Sequence, residues 1–109
     1  MELTVSGRHV EITDALRKHI AAHADKLTKH FDGIINITVT LTLDRDRHEA
    51  EVVLNAVKNT TIITHVVSHN MYESIDRSME KIERQLSKLK ERLKEHRAKS
   101  EAEERRPNV

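Results

Sequence analysis

Arg77, Lys81, Arg84 and Lys88 recur at alternating four- and three-residue steps. On an α-helix that spacing places all four on one face. A fixed row of positive charge suits a polyanion, because each phosphate it contacts releases condensed counterion. A second group is His19 and His23, four residues apart on a predicted helix, a spacing that can pair two imidazoles on one metal. The chain has no cysteine, lacks an H-E-x-x-H pattern and offers no evident third ligand, so no metal is expected. Catalysis has little support. Gly7 and Gly33 are the only glycines, so no phosphate-cradling loop exists, and Ser, His and Asp fall in no recognisable nucleophile motif. Neither a catalytic residue nor a cofactor is expected, and no small-molecule substrate.

The cationic row needs a helix to carry it. Tyr72, Ile75, Met79, Ile82, Leu86, Leu89 and Leu93 form an apolar seam with the same rhythm, two residues out of phase. This predicts a helix from Asn70 to about Arg97. A two-residue offset is roughly 200°, so the cations are expected almost opposite the seam. Asn70 should cap this helix, with Glu73 completing a capping box.

Upstream, Leu3 and Val5 alternate with polar neighbours in a short strand that Gly7 ends. Thr13 caps a helix whose apolar residues are Ile12, Leu16, Ile20, Ala24 and Leu27, closed near Gly33. Ile35 to Leu43 alternates strictly and predicts a second strand. Asp44 to Arg47 is a turn. Ala50, Val52, Leu54 and Ala56 mark the inner face of a third strand, and 61–67 a fourth. The order predicts an α+β fold: a two-layer β-α-β-β-β-α sandwich. Its four-stranded mixed sheet has both helices on one face. The first β-α-β unit should make strands one and two parallel. Residues 98–109 are polar without an apolar stripe and are expected to be a disordered tail after a domain of 1–97.

At 109 residues this is one domain, without an apolar run able to span a membrane and without a signal-peptide pattern, so a cytoplasmic protein is expected. Net charge is only +1. Bases nonetheless outnumber acids in both predicted helices, and acids outnumber bases between 32 and 67. A domain polarised in this way can hold a polyanion on one side. Phe31 and Tyr72 are the only Phe, Trp or Tyr residues, and both fall on apolar stripes. With no aromatic left to stack bases, a nucleic acid held there would be read by its backbone and shape.

The stretch Asn70-Met71-Tyr72-Glu73-Ser74-Ile75-Asp76, then Lys81-Ile82-Glu83-Arg84-Gln85-Leu86-Ser87-Lys88, resembles the signature helix of the ribosome hibernation-promoting factors and the related ribosome-associated inhibitor. That helix reads D-M-Y-x-x-I-D and then K-L-x-R-Q-L-x-K-x-K. Gly7 and Ile12-Thr13-Asp14-Ala15-Leu16-Arg17 resemble the family's G-x-x-x-x-I-T-x-A-L-R. The likeness covers about residues 1–97 and is to the short form, without the C-terminal dimerisation domain of long-form relatives. Asn70 replaces the usual Asp; His19, Ala24 and His30 stand where relatives often carry aromatics, and His23 where lysine is common.

The resemblance implies a fold similar to the double-stranded-RNA-binding domain with an added first strand. It also implies binding in the mRNA and tRNA channel of the small ribosomal subunit, at rRNA of the decoding region. That binding would silence translation and promote hibernation under stress or in stationary phase. The candidate RNA-binding residues are Arg8, Arg17, Lys26, Lys29, Arg77, Lys81, Arg84, Lys88 and Lys90. Arg8 is expected in the loop between the first strand and helix. Lys26 and Lys29 are the better cations of helix one, because they share a face with His23 and His30. A solvated helix face is the plain alternative for all of them. A different class of function is a helical dimerisation module without RNA contact, built on the seam from Tyr72 to Leu93. Modulation of a sigma factor is a third, with no separate feature behind it. The free protein is expected to be a monomer. Val53, Val57, Ile63 and Val67 should form a small outward apolar patch.

Overall fold

The structure is a computed structural model; it describes the backbone of residues 1–104 and the side chains of residues 1–92. The elements are β1 (Glu2–Arg8), α1 (Asp14–His30), β2 (Ile34–Asp44), β3 (Arg47–Ala56), β4 (Thr60–Ser68) and α2 (Met71–Glu104). Consecutive strands are neighbours in one four-stranded sheet. β1 runs parallel to β2, with Val5 opposite Val39, while β2–β3 and β3–β4 are antiparallel. The parallel pair follows from the helix between its strands, and the antiparallel pairs from their tight turns.

Both helices lie on one face of the sheet. The alternating residues Ile37, Val39 and Leu41 of β2 and Ala50, Val52 and Leu54 of β3 are fully enclosed there. α1 contributes Leu16, Ile20, Ala24 and Leu27; α2 contributes Met71, Ile75, Met79, Ile82 and Leu86. α2 packs over β3 and β4, and α1 beside it. The α2 seam is therefore spent on the sheet from Ile75 to Leu86, and a coiled coil through those residues would require undoing the core.

Several expectations shift. Tyr72 is 40% exposed, and Met71 occupies the buried position instead. Phe31 is only half-buried, packed at the rim of the core. The buried arc of α2 widens toward Ser74 and Ser78, both fully enclosed. Their hydroxyls donate to β3 carbonyls, Ser74 Oγ to His48 O at 2.6 Å and Ser78 Oγ to Ala50 O at 3.1 Å. Small side chains let the helix approach the strand closely, and the bonds offset the cost of burying them.

Asn70 caps α2 through Oδ1, accepting from the Tyr72 and Glu73 amides at 2.9 and 3.4 Å. The expected capping box does not form. The Asn70 amide donates to Ser68 Oγ, and the Glu73 carboxylate turns forward to Arg77 at 2.6 Å. Helical backbone continues to Glu104 rather than ending near Arg97, in a stretch with no Gly or Pro before Pro107. The Leu93 side chain and residues 105–109 of the expected tail lie outside the described residues.

At the N-terminus, β1 runs through Gly7, so Arg8 is its last residue and not part of the loop. A Cβ at Gly7 would overlap the Val10 carbonyl, so the strand is kept rather than ended by this glycine. Thr13 caps α1 as expected, accepting from the Leu16 amide at 3.2 Å. Gly33 has φ +85 and would drive a Cβ into Val57, which ties the α1–β2 turn to the end of β3.

Candidate nucleic-acid interface

All nine candidate cations are exposed, but they do not share one surface. Arg77, Lys81, Arg84 and Lys88 stay together as a stripe on α2. At roughly 100° per residue, the buried arc of α2 spans roughly 140° from Ser74 to Met79, and the stripe is centred roughly 120° from its middle. The cations therefore flank the core instead of opposing it, because Ser74 and Ser78 are buried too. Asp76 and Glu83, which contact α1, lie on the other flank. The stripe thus faces away from α1, above the β4 side of the sheet.

The remaining cations are dispersed. Lys26 faces the groove between the helices, with Nζ 3.5 Å from Glu83 Oε2. Lys29 lies opposite the buried stripe of α1, roughly 60° from Lys26 and roughly 120° from His23, so it neighbours the first and not the second. Arg17 lies roughly 150° around α1 from the flank that carries His19, His23 and Lys26. Lys90 belongs to the α1 side of α2: its Nζ sits 5.8 Å from the centroid of the Phe31 ring, a cation–π contact at the helix end. Arg8 is on edge strand β1.

Pairing sorts the stripe further. Arg77 is held by Glu73 one turn earlier. Glu80 precedes Arg84 by the same four residues, yet no pair forms there, and among the described residues Lys81, Arg84 and Lys88 have no carboxylate within salt-bridge distance. Three unpaired cations on successive turns rise along a rigid rod and can meet phosphates without first breaking an ion pair. Tyr72, the exposed aromatic, is met edge-on by His19 with ring centroids 5.0 Å apart.

The groove between the helices contains a group that the sequence did not bring together. His19 Nε2 and His23 Nε2 both reach Asp76 Oδ1, at 2.6 and 2.7 Å. The two imidazoles sit edge to face, 5.3 Å apart. Partial burial pushes the Asp76 carboxyl up, but hydrogen bonds from His23 and His19, with the charge those imidazoles can carry, bring it below its ordinary 3.8. Local spacing shows the histidine pair and nothing of its partner on α2.

A group whose folded pKa is depressed stabilises the fold above its unfolded value and loses that contribution as pH falls through the folded one. Asp76→Asn should therefore be less stable than wild type near neutrality, by on the order of 1 kcal/mol for a half-exposed acceptor of two hydrogen bonds. The gap should close as pH falls below 3.8 toward the lowered value. Urea midpoints of the two proteins in chelator, measured across that range, test this; a gap that persists in strong acid counts against the carboxylate as its source.

Among the described residues, no helix is long and apolar enough to cross a membrane. The outer sheet face carries Ile63, Val57 and Val67, which are exposed as expected, with Val53 half-buried.

Comparison with known proteins agrees with this architecture. The sequence family described as sigma 54 modulation protein / S30EA ribosomal protein matches residues 3–94. The ribosome hibernation promoting factor of Escherichia coli K12 is 36% identical over 76 residues, 70% of this chain and 79% of that protein. Its counterpart in Azotobacter vinelandii is 31% identical over 76 residues, 70% of each chain. A ribosomal subunit interface protein from Coxiella burnetii superposes with a TM-score of 0.76 at 28% identity, over 83% of this chain and 98% of that one. The N-terminal domain of Thermus thermophilus Protein Y gives the same TM-score of 0.76 at 26% identity, over 82% and 99%.

Proposed function

This chain belongs to the sigma 54 modulation protein / S30EA ribosomal protein family, and from that premise we propose that it binds the ribosome and promotes hibernation. The names of its relatives, ribosome hibernation promoting factor and ribosomal subunit interface protein, support this reading directly. The finer reading is that it occupies the mRNA and tRNA channel of the small subunit in the cytoplasm, against rRNA of the decoding region. The observation that carries it is the α2 stripe. Lys81, Arg84 and Lys88 are presented on the flank of a helix that is locked to the sheet, so their spacing is fixed before RNA arrives. Such a row reads phosphate positions and helical shape rather than bases. Lys29 and Arg17 on α1 and Arg8 on β1 would extend the contact to neighbouring RNA surfaces.

A wedge of this kind acts by occupancy. It turns over no substrate, so inhibition should be stoichiometric. Cell-free translation titrated with the protein should fall to its floor near one equivalent per ribosome, with tRNA or mRNA displaced in parallel. Inhibition far below that ratio would indicate an enzyme. Full inhibition with tRNA and mRNA still bound would move the protein elsewhere on the ribosome. The family description also carries sigma 54 modulation; the cationic stripe and the relatives' names favour the ribosome.

A further inference from the structure

We propose that His19, His23 and Asp76 form a binding site for a single divalent transition-metal ion, zinc in particular, that bridges α1 and α2. The ligand atoms are already assembled. One ring nitrogen of His19, one of His23 and a carboxylate oxygen of Asp76 all lie within 4.8 Å of one another. Both imidazoles present the same ring nitrogen to the same carboxylate oxygen, at 2.6 and 2.7 Å. With bonds of ~2.0–2.2 Å, tetrahedral zinc needs its ligands ~3.3 Å apart. Each imidazole would recede from Asp76 by several tenths of an ångström, and the two ring nitrogens, which lie within 4.8 Å of each other, would close toward the same spacing, movements that the half-exposed side chains allow.

Three features favour a metal over a bare hydrogen-bonded trio. His19 and His23 occupy successive turns of one helix, so the backbone supplies a two-nitrogen chelate at no further ordering cost. His19 is braced by Tyr72 and by His23 itself, both edge to face. All three side chains keep access to solvent, with 32%, 26% and 42% of their surfaces exposed, so an ion can enter and water can fill the fourth position. Two nitrogens and one oxygen select first-row transition ions over magnesium and calcium, which take oxygen ligands. The ion would replace the two imidazole–carboxylate hydrogen bonds with metal–ligand bonds and clamp the two helices together.

The test uses the full chain, stripped with chelator and titrated with zinc alone. Thermal melts should rise on the order of 10 °C at free zinc about a hundred times its Kd. Calorimetry should give one ion per chain, and cobalt should produce the visible absorption of a four-coordinate site. The metal-induced shift should vanish in His19→Gln, His23→Gln and Asp76→Asn, each read against its own metal-free melt so that lost stability does not confuse the result. It should persist in His65→Gln, a histidine on β4 remote from the groove. No shift in wild type overturns the proposal. So does a shift that survives His23→Gln, or one that His65→Gln removes. Magnesium matching zinc would overturn the nitrogen-ligand assignment as well.

Discussion

Reversing Arg84 and Lys88 together to glutamate should weaken ribosome binding on the order of 10–100-fold at moderate salt, with a visibly shallower dependence on salt. Both side chains are exposed, and neither is paired among the described residues. The substitutions therefore remove cations without exposing apolar surface or stranding a partner. Arg77 is a poorer choice, because its replacement would also break the 2.6 Å pair with Glu73; glutamates at 84 and 88 face Glu80 and each other one turn apart, a helix cost of ~0.2–0.5 kcal/mol per pair that leaves the core intact. Lys58, in the β3–β4 turn and on neither helix, supplies the control. Lys58→Glu should leave binding close to wild type if position matters more than total charge. Co-sedimentation with ribosomes over a salt series reads all three proteins. Unchanged binding by a folded double variant would remove the stripe from the interface.

The second large effect is on the fold. Ile82 is fully enclosed between α2 and the sheet, and Leu86 nearly so. Ile82→Ala should cost ~2–5 kcal/mol, with Leu86→Ala toward the lower part of that range because it lies where the helix begins to leave the sheet. For a domain of this size each kcal/mol corresponds to ~4–8 °C in Tm. Urea melts of both variants measure it. A loss of only a few tenths at Ile82 would mean that α2 does not cover the sheet in solution, and the rigid presentation of the cations would fall with it.

Local periodicity was enough for most of the architecture. From Asn36 onward β2 alternates, β3 buries Ala50, Val52 and Leu54 in step, and strict alternation has one structural solution when a single face is buried; the bulge between Ile34 and Asn36 breaks the expected pattern, so Ile34 packs on the core and Ile35 is 53% exposed. α1 was legible from its cap at Thr13 to its last apolar residue, Leu27. The phase of α2 was harder. Met71 and Tyr72 are adjacent and both can fill a core, so the pattern could not choose between them. Ser74 and Ser78 read as polar surface, because their burial depends on carbonyls of β3 that no helical pattern contains.

The element order, the sheet-facing seam from Ile75 to Leu86 and the existence of a cationic row on α2 are written in local spacing. These depend on residues within a few positions of one another, where chain geometry sets the spacing. The direction in which that row faces came from packing, since it depends on which arc the sheet covers, and Ser74 and Ser78 moved its edge. Packing also dispersed the other five cations over the α1 surface, the β1 edge and the groove. Finally, it brought Asp76 to His19 and His23 across separations of 57 and 53 residues. Contacts at that range are set by how two helices lie side by side on a common sheet, and no spacing along either helix encodes them.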